Sequence, residues 1–353
     1  MKPKLTTKEN FNLAFQNHKV NNFQIAIKLY NEILEVNPNH HDTLINLGGV
    51  FKVLGEFQKA VVCFEKVIKI DPTSCLALTN LGLTFADLEE HQKATICYEK
   101  VIEIDPNYVN AHYNLGVLFN HLEEHQKATI CYEKVIEIDP NYVNAYNNLG
   151  NSYLRLRELH KAVDYFEKSI LINPKITTTY FNLGITFHQL GKLDKAKNCF
   201  EKSIAIDPNY KEALNNLGLI SNQLREYHKA VDCYEKSIAI DPNYKEALNN
   251  LGLNFYDLDD YQKAINCYEK VIAIDPTFKK AYHNYGNTLK TLGKFKKAID
   301  CYKKVLNIDP KFKKTFTEYG SVLLSINEHA KGLAYIAKGE GVIKFTPSSY
   351  KII

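Results

Sequence analysis

The chain has no tryptophan, no Cys-x-x-Cys pair and no Asn-x-Ser/Thr sequon. Asp, Glu, Lys or Asn interrupts every apolar stretch before it reaches the roughly 18 residues of a spanning helix. The opening MKPKLTTKENFNLAF has no apolar signal core. These absences argue against membrane insertion and against a secretory signal. Eight cysteines could build disulfides or a zinc site, yet Cys63, Cys97, Cys131, Cys199, Cys233, Cys267 and Cys301 share one repeat position. One cysteine per structural unit reads as a small buried apolar side chain, and with the missing sequon it favours a reducing, cytoplasmic setting. There is no HExxH, GxSxG or P-loop, and repeats consume nearly the whole sequence, so neither catalysis nor a metal or cofactor is expected.

What the chain does have is a period. Pro38, Pro72, Pro106, Pro140, Pro174, Pro208, Pro242, Pro276 and Pro310 each follow the last by 34 residues. With proline at position 32 of a unit, the frame gives nine units: 7–40, 41–74, 75–108, 109–142, 143–176, 177–210, 211–244, 245–278 and 279–312. Residues 1–6 form an N-terminal tail, 313–338 a degenerate tenth repeat with a capping helix, and 339–353 a C-terminal tail.

Apolar or small residues recur at positions 4, 7, 8 and 11 and again at 20, 24 and 27, as in Leu214, Leu217, Gly218, Ser221, Ala230, Tyr234 and Ser237. Such spacing predicts two amphipathic helices per unit, because a strand would need period 2. Gly55, Gly191 and Gly293 at position 15 suit the turn between them, and Asp-Pro ends the second helix. Glycine at position 8, from Gly48 to Gly286 and again at Gly320, predicts a close helix crossing.

This pattern resembles the tetratricopeptide repeat family, over about nine tenths of the chain. Position 4, commonly Trp in that family, here holds residues such as Leu44, His112, Tyr146 and Phe316. The first unit is eroded, with Asn10, Ala14 and Asn17 at positions 4, 8 and 11, as expected of a cap. The resemblance implies an all-α fold, a right-handed α-α superhelix whose first helices line a concave groove. Segments such as 88–111 and 122–145, identical letter for letter, read as tandem duplications within a one-dimensional stack.

Position 6 is asparagine in eight consecutive units: Asn46, Asn80, Asn114, Asn148, Asn182, Asn216, Asn250 and Asn284. At about 100° per residue it lies on the side away from positions 4 and 8, in a stripe with positions 2, 9 and 13. A carboxamide both donates and accepts, so a row of them can pair with a peptide backbone whatever its sequence. The row resembles the repeat arm of O-linked N-acetylglucosamine transferases, where an asparagine ladder binds the backbone of protein substrates; the match fails at Glu318. The competing reading is that the asparagines bond between neighbouring first helices, or were simply copied by duplication. Specificity is assigned to the variable positions beside them: Tyr113, Asn147, Phe181, Asn215, Asn249 and His283 at position 5, and Glu212, Glu246 and Lys280 at position 2. The carboxylate clamp known in the family needs Lys and Asn on the first helix of one unit with Lys and Arg two units later, and position 5 here is never Lys.

The expected function is therefore a non-catalytic scaffold holding an extended polypeptide segment, with a transferase recognition arm as the alternative. Eleven lysines between 279 and 314, without arginine or a nucleic-acid motif, read as a solvated face rather than a nucleic-acid site. His91 and His125, near the starts of second helices, are expected to be exposed. In the tail, Ala330, Leu333, Ala334 and Ala337 predict one helical face, Gly339-Glu340-Gly341 its end, and VIKF and YKII short extended pieces.

Overall fold

The computed structural model describes residues 6–340, 343–346 and 349–352, the last two segments through their backbone only. Most of the predicted N-terminal tail, and Gly341 at the predicted helix end, lie outside the described residues. The chain divides into two compact units, Met1–Pro174 and Lys175–Ile353.

Each unit consists of helix hairpins in sequence order. In the first, the leading helices are α1 (Thr7–Lys19), α3 (His41–Val53), α5 (Cys75–Asp87), α7 (Val109–His121) and α9 (Val143–Arg155). Their partners are α2 (Phe23–Val36), α4 (Phe57–Ile70), α6 (His91–Ile104), α8 (His125–Ile138) and α10 (Leu159–Ile172). In the second unit the leading helices are α11 (Thr177–Gln189), α13 (Lys211–Gln223), α15 (Lys245–Asp257), α17 (Lys279–Thr291) and α19 (Lys313–Ser325). Their partners are α12 (Leu193–Ile206), α14 (Tyr227–Ile240), α16 (Tyr261–Ile274), α18 (Phe295–Ile308) and α20 (His329–Glu340). A two-stranded antiparallel hairpin follows, β1 (Ile343–Thr346) with β2 (Ser349–Ile352), paired Ile343 to Ile352 and Thr346 to Ser349. No helix among the described residues is long and apolar enough to cross a membrane.

The glycine at position 8 has a specific neighbour. A Cβ on Gly82, Gly116, Gly150, Gly184 or Gly218 would sit 2.7 Å from the ring of the aromatic residue at position 24 of the same repeat, such as Phe166 over Gly150. The ring is thus pressed flat against the backbone of the facing helix, which supplies close packing without a side chain between. In the last hairpin the approach is backbone to backbone, with a Gly320 Cβ 2.6 Å from the Gly332 carbonyl.

The turn between helices makes a demand that sequence shows only in part. Position 15 has positive φ at Gly55, Gly191 and Gly293, and also at Asn21, Glu89, Glu123, Arg157, Arg225, Asp259 and Asn327, all between 59° and 75°. The left-handed conformation is required by the hairpin whatever residue stands there.

Between repeats, the aspartate of Asp-Pro does more than precede a proline. Asp71, Asp105, Asp139, Asp207, Asp241, Asp275 and Asp309 accept through Oδ1 from the backbone N–H two residues on, at 2.9 to 3.0 Å. Each turn is closed by its own side chain. In the second unit the same carboxylates also accept from the lysine at position 1, with Lys211, Lys245 and Lys279 each 2.6 Å from Asp241, Asp275 and Asp309.

Serine at position 27 is a poor apolar residue, but Ser203 donates to the Thr177 carbonyl at 3.1 Å and Ser237 to that of Lys211 at 2.9 Å. The repeated cysteines fill the space between helices; burial pushes the thiols of Cys63, Cys97, Cys233 and Cys267 up to about 11.

The tail departs from expectation in two ways. Ala330 and Ala334 are exposed, and the face turned to α19 is instead that of Gly332, Tyr335, Ile336 and Gly339, because the close Gly320–Gly332 crossing sets the rotation of α20. Gly339 does not end the helix, which runs through Glu340; a Cβ there would meet Thr317 Oγ1 at 2.5 Å.

Candidate peptide-binding face

The first helices present positions 2, 6, 9 and 13 on one side. Position 2 is exposed at Asp42, Leu76, Asn110, Asn144, Thr178, Glu246 and Lys280, and half-buried at Glu212. Position 13 is exposed from Val53 to Thr291. Between them the eight asparagines are all half-buried, four in each unit.

Their amides are partly committed. Asn46 and Asn216 donate through Nδ2 to carbonyls of their own helices, Asp42 and Glu212, both at 2.8 Å. Asn148 donates to the Tyr113 hydroxyl at 3.2 Å, Asn250 to Asn215 Oδ1 at 3.0 Å and Asn284 to Asn249 Oδ1 at 3.1 Å. The last three cross from position 6 of one repeat to position 5 of the repeat before it. The competing sequence reading, bonding between neighbouring first helices, therefore describes part of the row. In each of these bonds the amide is the donor.

Position 5 faces the seam between repeats. Asn215 and Asn249 are only 7% and 6% exposed, and they accept from the next asparagine. These two residues, expected to select a partner, are buried acceptors, each bonded to the first helix of the following repeat. Tyr113 packs on Tyr132 and Tyr142 at 5.9 and 5.0 Å, and Phe181 on Phe200 and Tyr210 at 5.8 and 5.0 Å. Burial raises the Tyr113 phenol, opposed by the bond from Asn148. His283 bonds to Thr315 Oγ1 at 2.8 Å and packs edge-on against Phe312, and burial lowers its pKa. Asn147 is half-buried.

Position 12 carries contacts that the sequence stripe did not include. Lys52 pairs with Asp87 at 3.3 Å, Asn222 donates to Asp257 at 3.1 Å, and Tyr256 meets Thr291 at 3.0 Å. Each runs to position 13 of the following repeat, so the 35-residue offset is the signal that would have found them. At the end of the row Glu318 replaces asparagine and pairs with Lys290. That contact and the Lys279–Asp309 pair remove two lysines from the basic cluster, while Lys296, Lys297, Lys303 and Lys304 stay exposed.

Profiles of the tetratricopeptide repeat match residues 41–74, 75–108, 109–142, 141–209, 210–277 and 279–312. The chain belongs to the tetratricopeptide repeat family. Among solved structures, MamA is 30% identical, with 48% of this chain and 92% of MamA covered at a TM-score of 0.44. YrrB, described as a TPR protein with an unusual peptide-binding site, is 24% identical, with 52% of this chain and 95% of that one covered at 0.46. PilF of Pseudomonas aeruginosa is 22% identical, with 59% and 94% covered at a TM-score of 0.52, a likeness of fold. No curated protein matches the chain significantly.

The histidines of the duplicated segments need a second correction. In this TPR stack neither His91 nor His125 is exposed. His125 Nδ1 bonds to Asn120 Oδ1 at 3.1 Å, whereas His91 Nδ1 is buried with no partner among the described residues. Among those residues no group of three His, Cys, Asp or Glu is arranged to hold a metal.

Proposed function

We propose that this TPR protein is a non-catalytic scaffold that holds an extended segment of a partner protein along its first helices. The observation that carries the reading is the row of half-buried carboxamides, one per repeat, flanked by exposed positions 2 and 13. Where the Nδ2 side is tied down inside the protein, the carbonyl oxygen is what the side chain offers, and a peptide N–H is its natural donor. In Asn46, Asn148, Asn216, Asn250 and Asn284 a bond through Nδ2 fixes the carboxamide before a ligand arrives, which reduces the ordering cost of binding there. Each hydrogen bond contributes about 1 kcal/mol net, so selectivity must come from the exposed positions, with Glu212 and Glu246 opposed by Lys280 toward the end of the second unit. The transferase-arm reading rests on the same asparagines and on no separate observation.

The test is fluorescence anisotropy with a pool of labelled, unstructured fifteen-residue peptides. Asn46→Ala, Asn80→Ala and Asn216→Ala remove ladder groups whose amides support no neighbouring repeat. Each is expected to weaken binding about fivefold, the equivalent of one hydrogen bond, with thermal stability nearly unchanged. Pool binding that survives the triple variant unaltered would remove the ladder from the function.

A further inference from the structure

We propose that a pocket between α5 and α7, over the start of α6, is a subsite for a tyrosine side chain of the bound segment. This rests on the reading that an extended segment lies along the first helices. The pocket holds about 350 Å³ and includes the ladder residue Asn114 in its wall, so a backbone held by that carboxamide delivers a neighbouring side chain into it.

Its origin lies in one departure from the repeat. Segments 88–111 and 122–145 are identical, so His91 and His125 open second helices of the same sequence. His125 Nδ1 is satisfied by Asn120, 3.1 Å away. The counterpart of Asn120 one repeat earlier is Ala86, and His91 Nδ1 is left buried without a partner. Replacing Asn by Ala both opens space and strands a ring nitrogen, and Ala86 and His91 line the same pocket. A buried polar atom without a bond is unfavourable unless a ligand supplies one.

The chemistry of the walls selects the ligand. Leu83, Val117 and Leu118 are apolar, and the His91 and His121 rings, packed on each other at 5.4 Å and 56°, add an aromatic wall against which a further ring can pack. A hydroxyl can donate or accept, so a phenol that enters the pocket and shifts the side chains covering the buried His91 Nδ1 satisfies that nitrogen in either tautomer. Phenylalanine or leucine leaves that nitrogen unpaired. Asp87 and Glu89 both line the pocket, and with Lys52 paired to Asp87 one carboxylate charge remains in excess, which disfavours an acidic side chain and a phosphorylated tyrosine.

The probe is N-acetyl-tyrosinamide added to the full chain, followed by methyl NMR shifts of Ala86, Leu83 and Val117, with N-acetyl-phenylalaninamide and the O-phosphorylated tyrosine derivative as comparators. The tyrosine compound is expected to bind at least fivefold more tightly than either. Ala86→Asn, which restores the residue found at position 120 and gives His91 the partner His125 has, is expected to abolish that preference without disturbing the fold. Equal binding of the tyrosine and phenylalanine compounds, shifts confined to other helices, or a preference that survives Ala86→Asn would overturn the assignment. The two proposals separate cleanly: Ala86→Asn leaves pool binding through the asparagine row, and Asn216→Ala leaves binding of N-acetyl-tyrosinamide.

Discussion

Asn216 and Asn250 occupy the same position in consecutive repeats within identical thirteen-residue segments, yet their replacement by alanine should have opposite consequences for stability. Asn216 donates to the Glu212 carbonyl of its own helix, and that carbonyl is already served by the helix ladder. Its loss strands nothing, and alanine is the better helix former, so the expected change lies within about 0.5 kcal/mol of zero. Asn250 donates to Asn215 Oδ1, in a side chain that is 7% exposed. Its loss leaves that oxygen buried and unpaired, at about 1–3 kcal/mol. Asn284→Ala should repeat the result through Asn249. Removing both partners with Asn215→Ala/Asn250→Ala should cost less than the two single changes summed, with a coupling energy of about 1 kcal/mol. Guanidinium unfolding followed by circular dichroism, with midpoints compared at a common slope, measures the native chain and the five variants, Asn215→Ala included. If Asn250→Ala and Asn216→Ala were equally tolerated, or if the double variant cost the full sum, the bond between repeats would not hold the helices in register.

Turn substitutions such as Glu123→Gly, at φ 60°, should raise the melting temperature by the equivalent of up to about 1 kcal/mol each; a fall would show that the side chain has a role of its own. Gly150→Ala puts a Cβ 2.7 Å from the Phe166 ring and should destabilise by about 1–3 kcal/mol in thermal melts, part of which Phe166→Leu in the same chain recovers. The native cysteine thiols at 63, 97, 233 and 267, pushed up to about 11, should react with Ellman's reagent at pH 8 only as fast as the chain opens; prompt labelling would place them at the surface. The Asp275 carboxyl is held down to about 2 by its bonds from Lys245 and Thr277. A lowered folded value means stability present above about pH 4, the unfolded range, and lost as pH falls toward 2. Lys245→Met should flatten that acid limb of the urea midpoint against pH, and an unchanged limb would mean the pair contributes nothing.

The 34-residue period, the two helices per repeat, the buried set from Leu214 to Ser237 and the asparagine row were legible because a helix fixes where its own side chains point. Relations between repeats were not. The sequence shows Asn215 and Asn216 as adjacent letters, and only packing makes the first a buried acceptor and the second a half-exposed donor. Position 15 reads as glycine in three repeats and as Glu, Arg, Asp or Asn in seven, and the shared left-handed turn emerges only from the geometry of the hairpin. The face expected at Ala330, Leu333, Ala334 and Ala337 gives way to that of Gly332 and Gly339 because helix rotation is set by which backbone comes closest, a property of two helices together. His91 and His125 share identical flanking sequence, so no local signal separates them; the residue that does so, Ala86 or Asn120, stands five positions earlier on another helix. The sequence by itself determined the repeat and the direction of each side chain from its own axis. Tertiary structure decided which of those side chains meet a neighbour and which stay available, because that depends on distances across the stack that no single helix contains.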